Sequence, residues 1–338
     1  MTDVVTVGLD LAKNVFQVHG IDREGRIGVR RKLRRAEVLR FFAMLSPCLV
    51  GMEACASSHY WAREIGRLGH EVRLMPPAYV KPYVKRGKTD ASDAEAICEA
   101  VTRPTMRFVA VKSEDQQAVL MLHKVRELLV RQRTMLTNAL RAHLAELGIV
   151  AAQGLEGLSS LKLHFHAVRD ELPNHAAVAL HALLSQADGL AEQVEILERK
   201  ILDWHRSNDA SRRLATIPGI GPITASAIAA NVPDASLFRS ARQFAAWLGL
   251  TPKAHSSGGK DRQTGISKQG DGYIRRLLVS GATAVLRFTR QGDPGKAWLL
   301  QMKERKRPKV VAVAQANKTA RIAWAILRRN EVYAAPAG

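Results

Sequence analysis

At 338 residues, 46% of them hydrophobic, the chain has the length and composition for two or three domains with real cores. No apolar run reaches the ~18 residues of a membrane span, and the opening MTDVVTVGLD carries an acid where a signal peptide needs positive charge, so a soluble, cytoplasmic protein is expected. The net charge of +20 and pI near 10.4 point to a polyanionic partner, because Lys and Arg that neutralise phosphates release condensed counterions; residues 211–338 hold +16 of that charge.

In chain order, the first hundred residues alternate short β-rich runs with helical ones, the pattern of an α/β domain. Strands are predicted at Val4–Leu9, Val15–Ile21, Ile27–Leu33, Cys48–Met52 and Val72–Met75, the first three as a meander turning at 22–25. Helices are predicted at Ala36–Leu45 and at His59–Leu68, the second closed by Gly69. Pro76, Pro77 and Pro82 mark a loop whose basic end, with Lys85, Arg86 and Lys88, is expected to face a nucleic acid. Cys48, Cys55 and Cys98 lack the paired spacing of a zinc knuckle and are expected to be reduced and buried.

Beyond Pro104 the pattern changes to long helical periodicity, at Glu114–Leu147 and at His175–Arg206. The two are expected to pair as a helical hairpin or coiled coil, or to be ordinary bundle helices, joined through GlyLeuGluGlyLeu at 154–158. From Leu214 loops rich in Gly, Pro and basic residues lead to a last helix at Val310–Leu327. Three domains follow from this pass, with bounds at 1–110, 111–208 and 209–338.

Four carboxylates stand out. Asp10 interrupts the apolar run VVTVGLDLA, Glu53 ends CLVGME, and Asp90 and Asp93 lie three apart at the start of KTDASDAEAICEAV, on one helix face. Such acids repel one another unless a cation neutralises them, and hard Mg²⁺ prefers carboxylate oxygen. An acid in the middle of a first strand, a meander, an acid ending the fourth strand and acids on a later helix are the layout of the RNase H-like nuclease fold, where paired divalent ions clamp a phosphodiester. Alternatives remain for single residues: Asp90 and Asp93 as a cap and first-turn acid, Glu53 as a plain strand-end acid.

Two later segments carry weaker signals. IleProGlyIleGlyProIle at 217–223 resembles the turn of helix-hairpin-helix DNA binders, in which amides near Gly219 and Gly221 would hold a phosphate; a plain turn is the alternative. The stretch from Thr251 places Ser256 and Ser257 beside two glycines on what reads as a flexible loop, followed by Lys260, Arg262, Lys268, Arg275 and Arg276. A serine nucleophile needs activation, and cations to stabilise a pentavalent phosphorus transition state; a linker of no function is the alternative.

Taken together, VGLDLAK, GMEA, KTDASDAEA, IPGIGPITA, ARQFAAWLGLTP, SSGGK and GISKQGDGYIRRLL, in that order, resemble the DEDD transposases of the IS110 family of insertion sequences, most of all its IS1111 subgroup. The resemblance covers nearly the whole chain. It implies a RuvC-like (RNase H-like) domain, a coiled coil and a mainly α transposase domain, in a bridge-RNA-guided DNA recombinase. It further implies that Asp10, Glu53, Asp90 and Asp93 hold Mg²⁺, with Mn²⁺ as a substitute, and that Ser257 attacks a phosphodiester to give a covalent phosphoserine. Donor and target DNA, a structured RNA encoded beside the gene and a tetramer of this chain are the implied partners, with nucleoid association when active. One departure is AlaCysAlaSerSer at 54–58, where relatives often carry a glycine. The competing functions are a RuvC-like junction resolvase that hydrolyses DNA with water and a binding remnant that does not cut.

Overall fold

The structure is a computed structural model that describes residues 3–85, 89–150, 155–257, 260–293 and 297–335, at backbone level only for 155–158, 254–257 and 260–264. The chain divides into two units, Met1–Gln116 with Val232–Arg239, and Gln117–Asn231 with Ser240–Gly338.

The first unit is built on a five-stranded sheet of β1 (Thr6–Asp10), β2 (Val15–Ile21), β3 (Ile27–Arg34), β4 (Leu49–Glu53) and β5 (Glu71–Met75), in the order β3-β2-β1-β4-β5. The meander β1 to β3 is antiparallel, and β4 and β5 add in parallel. Between them lie α1 (Val38–Ala43), shorter than expected because Arg35–Glu37 form a 3₁₀ turn, and α2 (Ser58–Arg67). A short α3 (Pro77–Val80) and then α4 (Asp90–Val101) follow β5.

Because side chains alternate along a strand, each face has its own partner. Val7 and Leu9 share a face with Val18, Val50 and Met52, where they pack with Phe41 and Phe42 of α1 and Trp61 and Ile65 of α2. All of these are nearly inaccessible to solvent, and each large apolar side chain so buried stabilises the fold by about 1.5–3 kcal/mol. The opposite face carries Gly8 and Gly51, and α4 lies there. A Cβ on Gly8 would come within 2.1 Å of the Ala94 carbonyl oxygen, and one on Gly51 within 2.7 Å of Val101 Cβ. Glycine at these two positions lets the helix backbone sit directly on the sheet.

The chain leaves the first unit within α5 (Glu114–Glu146), which α6 (Leu155–Val168) and α7 (Asn174–Ser207) follow. The segment read as a linker therefore contains a third helix. Its Leu161 and Phe165 close an apolar cluster with Leu140 and Leu144 of α5 and Leu180 and Leu184 of α7. Then come α8 (Asp209–Leu214), α9 (Pro222–Asn231), α10 (Ala241–Trp247), a hairpin of β6 (Pro252–Ser257) and β7 (Lys260–Ile266), α11 (Gly272–Phe288), α12 (Ala297–Arg305) and α13 (Pro308–Arg329). The hairpin replaces the flexible loop expected there.

A buried polar network ties three of these helices. His123 of α5 lies 3.1 Å from Ser226 Oγ of α9 through Nε2 and 3.1 Å from Tyr273 Oη of α11 through Nδ1. Ser226 donates its proton to the Pro222 carbonyl at 2.7 Å, so it accepts from Nε2–H, and Nδ1 accepts from the tyrosine. Burial, reinforced by the nearby Arg126 guanidinium, lowers the His123 pKa to about 4 and keeps the ring neutral. Among the described residues no helix is long and apolar enough to cross a membrane.

Candidate functional site

Asp10 is the last residue of β1, not an interruption within it, and Glu53 is the last residue of β4. The strands pair in parallel with Gly8 opposite Gly51 and Leu9 opposite Met52, so the two acids end adjacent strands at one level. Each is two residues beyond a glycine on which α4 rests, and strand alternation therefore directs both to the α4 face. Both are half-buried.

The course of α4 brings the other two acids to the same edge. The Ala94 carbonyl and Cys98 amide flank Gly8, and Cys98 Sγ lies 3.7 Å from the carbonyl of Thr6. The helix thus runs antiparallel to β1, and its first turn, with Asp90 and Asp93, extends past Gly8 toward Asp10. The N-cap is Thr89, whose hydroxyl accepts from the Ser92 amide at 3.2 Å. Neither aspartate is needed for capping. Asp90 is exposed and Asp93 half-buried.

Four carboxylates at one sheet edge form a donor set whose chemistry fits a hard divalent cation. Among the described residues, however, no three acids, histidines or cysteines stand close enough together to hold a metal ion. The edge is a pair of strand acids with a helical pair beside it, not a closed shell.

Around the acids the charges are arranged in layers. Glu95, one helical step beyond the aspartates, pairs with Lys85 at 2.5 Å and with Arg30 of β3 at 3.3 Å, and the lysine holds its carboxyl below the usual range. The expected nucleic-acid contact Lys85 is therefore engaged with an acid of its own chain; Arg86 and Lys88 lie outside the described residues. Under α4, burial lowers the pKa of His19, whose Nδ1 has no hydrogen-bond partner among the described residues, and pushes the Cys98 thiol up to about 12. Cys48 is likewise buried, at 3.3 Å from His70 Nδ1, and about 11. Cys55 departs from expectation: it is exposed, because it lies in the turn after Glu53 and not on the strand.

In the second unit Ser257 ends β6 and pairs across the hairpin with Lys260, as Ser256 does with Asp261; Arg262 pairs with His255. The side chains of Ser257, Lys260 and Arg262 lie outside the described residues. Lys268 is exposed, adopts a left-handed backbone (φ 56°) and lines an open groove of about 900 Å³ with Lys309, Lys318 and Arg321 around an apolar floor that includes Val313. Arg275 donates to the carbonyls of Leu248 (2.8 Å) and Gln269 (2.7 Å), which fastens the segment after the hairpin, and Arg276 pairs with Glu127. Gly219 has φ 87° and abuts α11: a Cβ on it would meet Val285 Cγ2 at 2.8 Å and the Gly281 carbonyl oxygen at 2.9 Å. Packing therefore explains that glycine, while Gly221, ahead of α9, is exposed with open space around it.

The sheet order, the acid-bearing edge and the helical second unit are consistent with an RNase H-like DEDD transposase. Two family models match the chain: a transposase model of the DEDD IS110 type over residues 7–149, and one described as the transposase IS116/IS110/IS902 family over 211–294. A probable family 20 transposase of Pseudomonas aeruginosa is 50% identical over 97% of this chain and 98% of its own length. The transposase for insertion sequence element IS1328 of Yersinia enterocolitica is 41% identical (98% and 99% covered). The transposase for IS1111A of Coxiella burnetii is 38% identical (98% and 92%). The chain belongs to the IS110 family of insertion-sequence transposases.

Proposed function

We propose that the chain excises and inserts its own element by metal-dependent DNA cleavage and strand exchange, through a covalent link between DNA and Ser257. The reading is carried by Asp10 and Glu53 ending adjacent parallel strands on the face where α4 lies, with Asp90 and Asp93 in the first turn of that helix. These four carboxylates would hold Mg²⁺, or Mn²⁺ in its place, which supplies positive charge for the developing phosphorane. Asp10 and Glu53 are fixed by the sheet; Asp90 and Asp93 approach with the first turn of α4.

In the transesterification, the Ser257 hydroxyl attacks phosphorus and loses its proton, and one phosphorus–oxygen bond to the deoxyribose breaks. The released sugar hydroxyl leaves with a proton, and an incoming strand hydroxyl reverses the step, so bond energy is conserved without a high-energy cofactor. The position of Ser257 as the last residue of β6, with basic residues following on β7, supports this role. Lys260, Arg262 and Lys268, with the basic rim along α13, would neutralise phosphates there.

Selection of donor and target by a structured RNA encoded beside the gene belongs to this reading through family membership, as does action in the cytoplasm. Assembly as a tetramer, with acids and serine supplied by different subunits, has support in α5: Met121 (64% exposed), Val125, Leu128 and Met135 (64%) form a solvent-facing apolar stripe at heptad spacing. The three-part division into RuvC-like, coiled-coil and transposase domains is proposed on the same footing. Sequencing nucleic acid that copurifies with the chain tests the guide: enrichment of RNA from the flank of the gene supports it, and recovery of random cellular RNA alone refutes it.

A further inference from the structure

We infer that the edge strand β3 is a phosphodiester-binding track that feeds the acid edge, with Lys32 and Arg34 as its contacts. The sequence run ArgArgLysLeuArgArg at 30–35 looks uniformly basic, but strand pairing sorts it by face. Lys32 pairs with Gln17, which pairs with Asp10, so Lys32, Gln17 and Asp10 form one row across the sheet on the α4 face, continued by Glu53. Two inter-strand spacings put Lys32 about 10 Å from Asp10. Arg34 shares that face and lies two residues, about 7 Å, further along β3, beyond the level of the acids. Arg31, opposite Val18, belongs to the other face.

Charge and accessibility separate these residues further. Arg30 is paired with Glu95, whereas Lys32 and Arg34 are exposed and make no ion pair among the described residues. A phosphodiester approaching an edge with four carboxylates meets repulsion, and two cations with no ion pair among the described residues, within roughly one Debye length of Asp10, offset it, although Glu37 accepts from the Arg34 backbone amide at 2.6 Å. β3 is also the outer strand of its sheet, so nothing in the first unit's sheet covers its far side. Charged residues on an outer strand also discourage edge-to-edge pairing, but that role is served equally by Arg31. Phosphate binding beside the acids requires Lys32 and Arg34 specifically.

The inference deepens the DNA-acting reading and rests on it, yet the two fail separately. Binding of the full chain to labelled duplex DNA, and in a parallel arm to structured RNA, is measured against salt for the parent chain, the Lys32→Ala/Arg34→Ala pair, Arg31→Ala and Asp10→Ala. The expected result is that log K against log[salt] becomes shallower by about two for the paired variant and stays unchanged for Arg31→Ala. The arm in which the slope changes identifies DNA, RNA or both as the strand on the track. An unchanged slope in both arms, or an equal loss per charge from Arg31→Ala, overturns the inference. Asp10→Ala that binds normally and still cleaves overturns the functional reading instead and leaves the track standing.

Discussion

The two units position the proposed site residues by different physics. In the first unit, Asp10 and Glu53 are fixed by parallel register, and two glycines bring a helix backbone onto the sheet so that Asp90 and Asp93 reach the same edge. In the second, Ser257 ends a small hairpin beside helices joined by a buried polar network and a glycine–glycine contact. The acid edge is set by strands and a helix far apart in sequence, whereas the strand that ends at Ser257 pairs with the next strand along the chain.

The sharpest way to break this contrast is to remove one acid and keep the fold. Asp10→Asn is expected to lower DNA strand cleavage by at least about a thousandfold with an unchanged circular dichroism spectrum, a loss comparable to removing one central charge-stabilising group. Retained cleavage would show that the strand acids are not the reaction centre.

Next in size are the close approaches. Gly8→Ala drives a methyl into the Ala94 carbonyl and should cost about 1–3 kcal/mol or more in denaturant unfolding, with α4 displaced from Asp10. Gly281→Ala, against the Gly219 carbonyl, should cost a similar amount through α11. If Gly8→Ala reduces cleavage more than Gly281→Ala at matched stability, helix placement at the acid edge is the sensitive element.

The polar network gives the second unit a pH dependence. His123 faces Ser226 and Tyr273, with Arg126 and Asp271 nearby, and its folded pKa of about 4 lies below the ordinary histidine value of 6.5. The unfolded chain therefore binds the proton more tightly. The stability this group contributes is full above about pH 6.5 and falls as pH drops toward 4, by up to about 3 kcal/mol. Unfolding followed from about pH 7.5 to about pH 4.5 should show most of that loss, and His123→Gln should flatten it. The smallest effect is expected from Thr89→Ala, about 1 kcal/mol from the lost cap of α4.

The same contrast explains what was legible in the sequence. All five strands of the first sheet are found within two residues of their expected starts, because each combines an apolar run with a turn or cap. The acids stood out there because carboxylates at the ends of buried strands are costly without a purpose. The hairpin at Pro252–Ile266 went unread: PKAHSS and KDRQTGI lack the alternation of a half-buried strand, and only their mutual pairing makes them one. Helix α6 was hidden by glycines at 154 and 157, and its apolar partners are on α5 and α7. The basic run at 30–35 was visible, but which of its residues share a face with Asp10 became known only from register. Arg275 likewise read as a free cation, although two carbonyls occupy it.

The central claim is that the acids and the serine act in one reaction. Full-length chain is incubated with cognate DNA, RNA and Mg²⁺, then denatured and probed for DNA that stays attached to protein. The expected result is a covalent adduct at Ser257 that disappears in both Ser257→Ala and Asp10→Asn. Cleaved DNA with free ends and no adduct, or an adduct that survives Ser257→Ala, would contradict it.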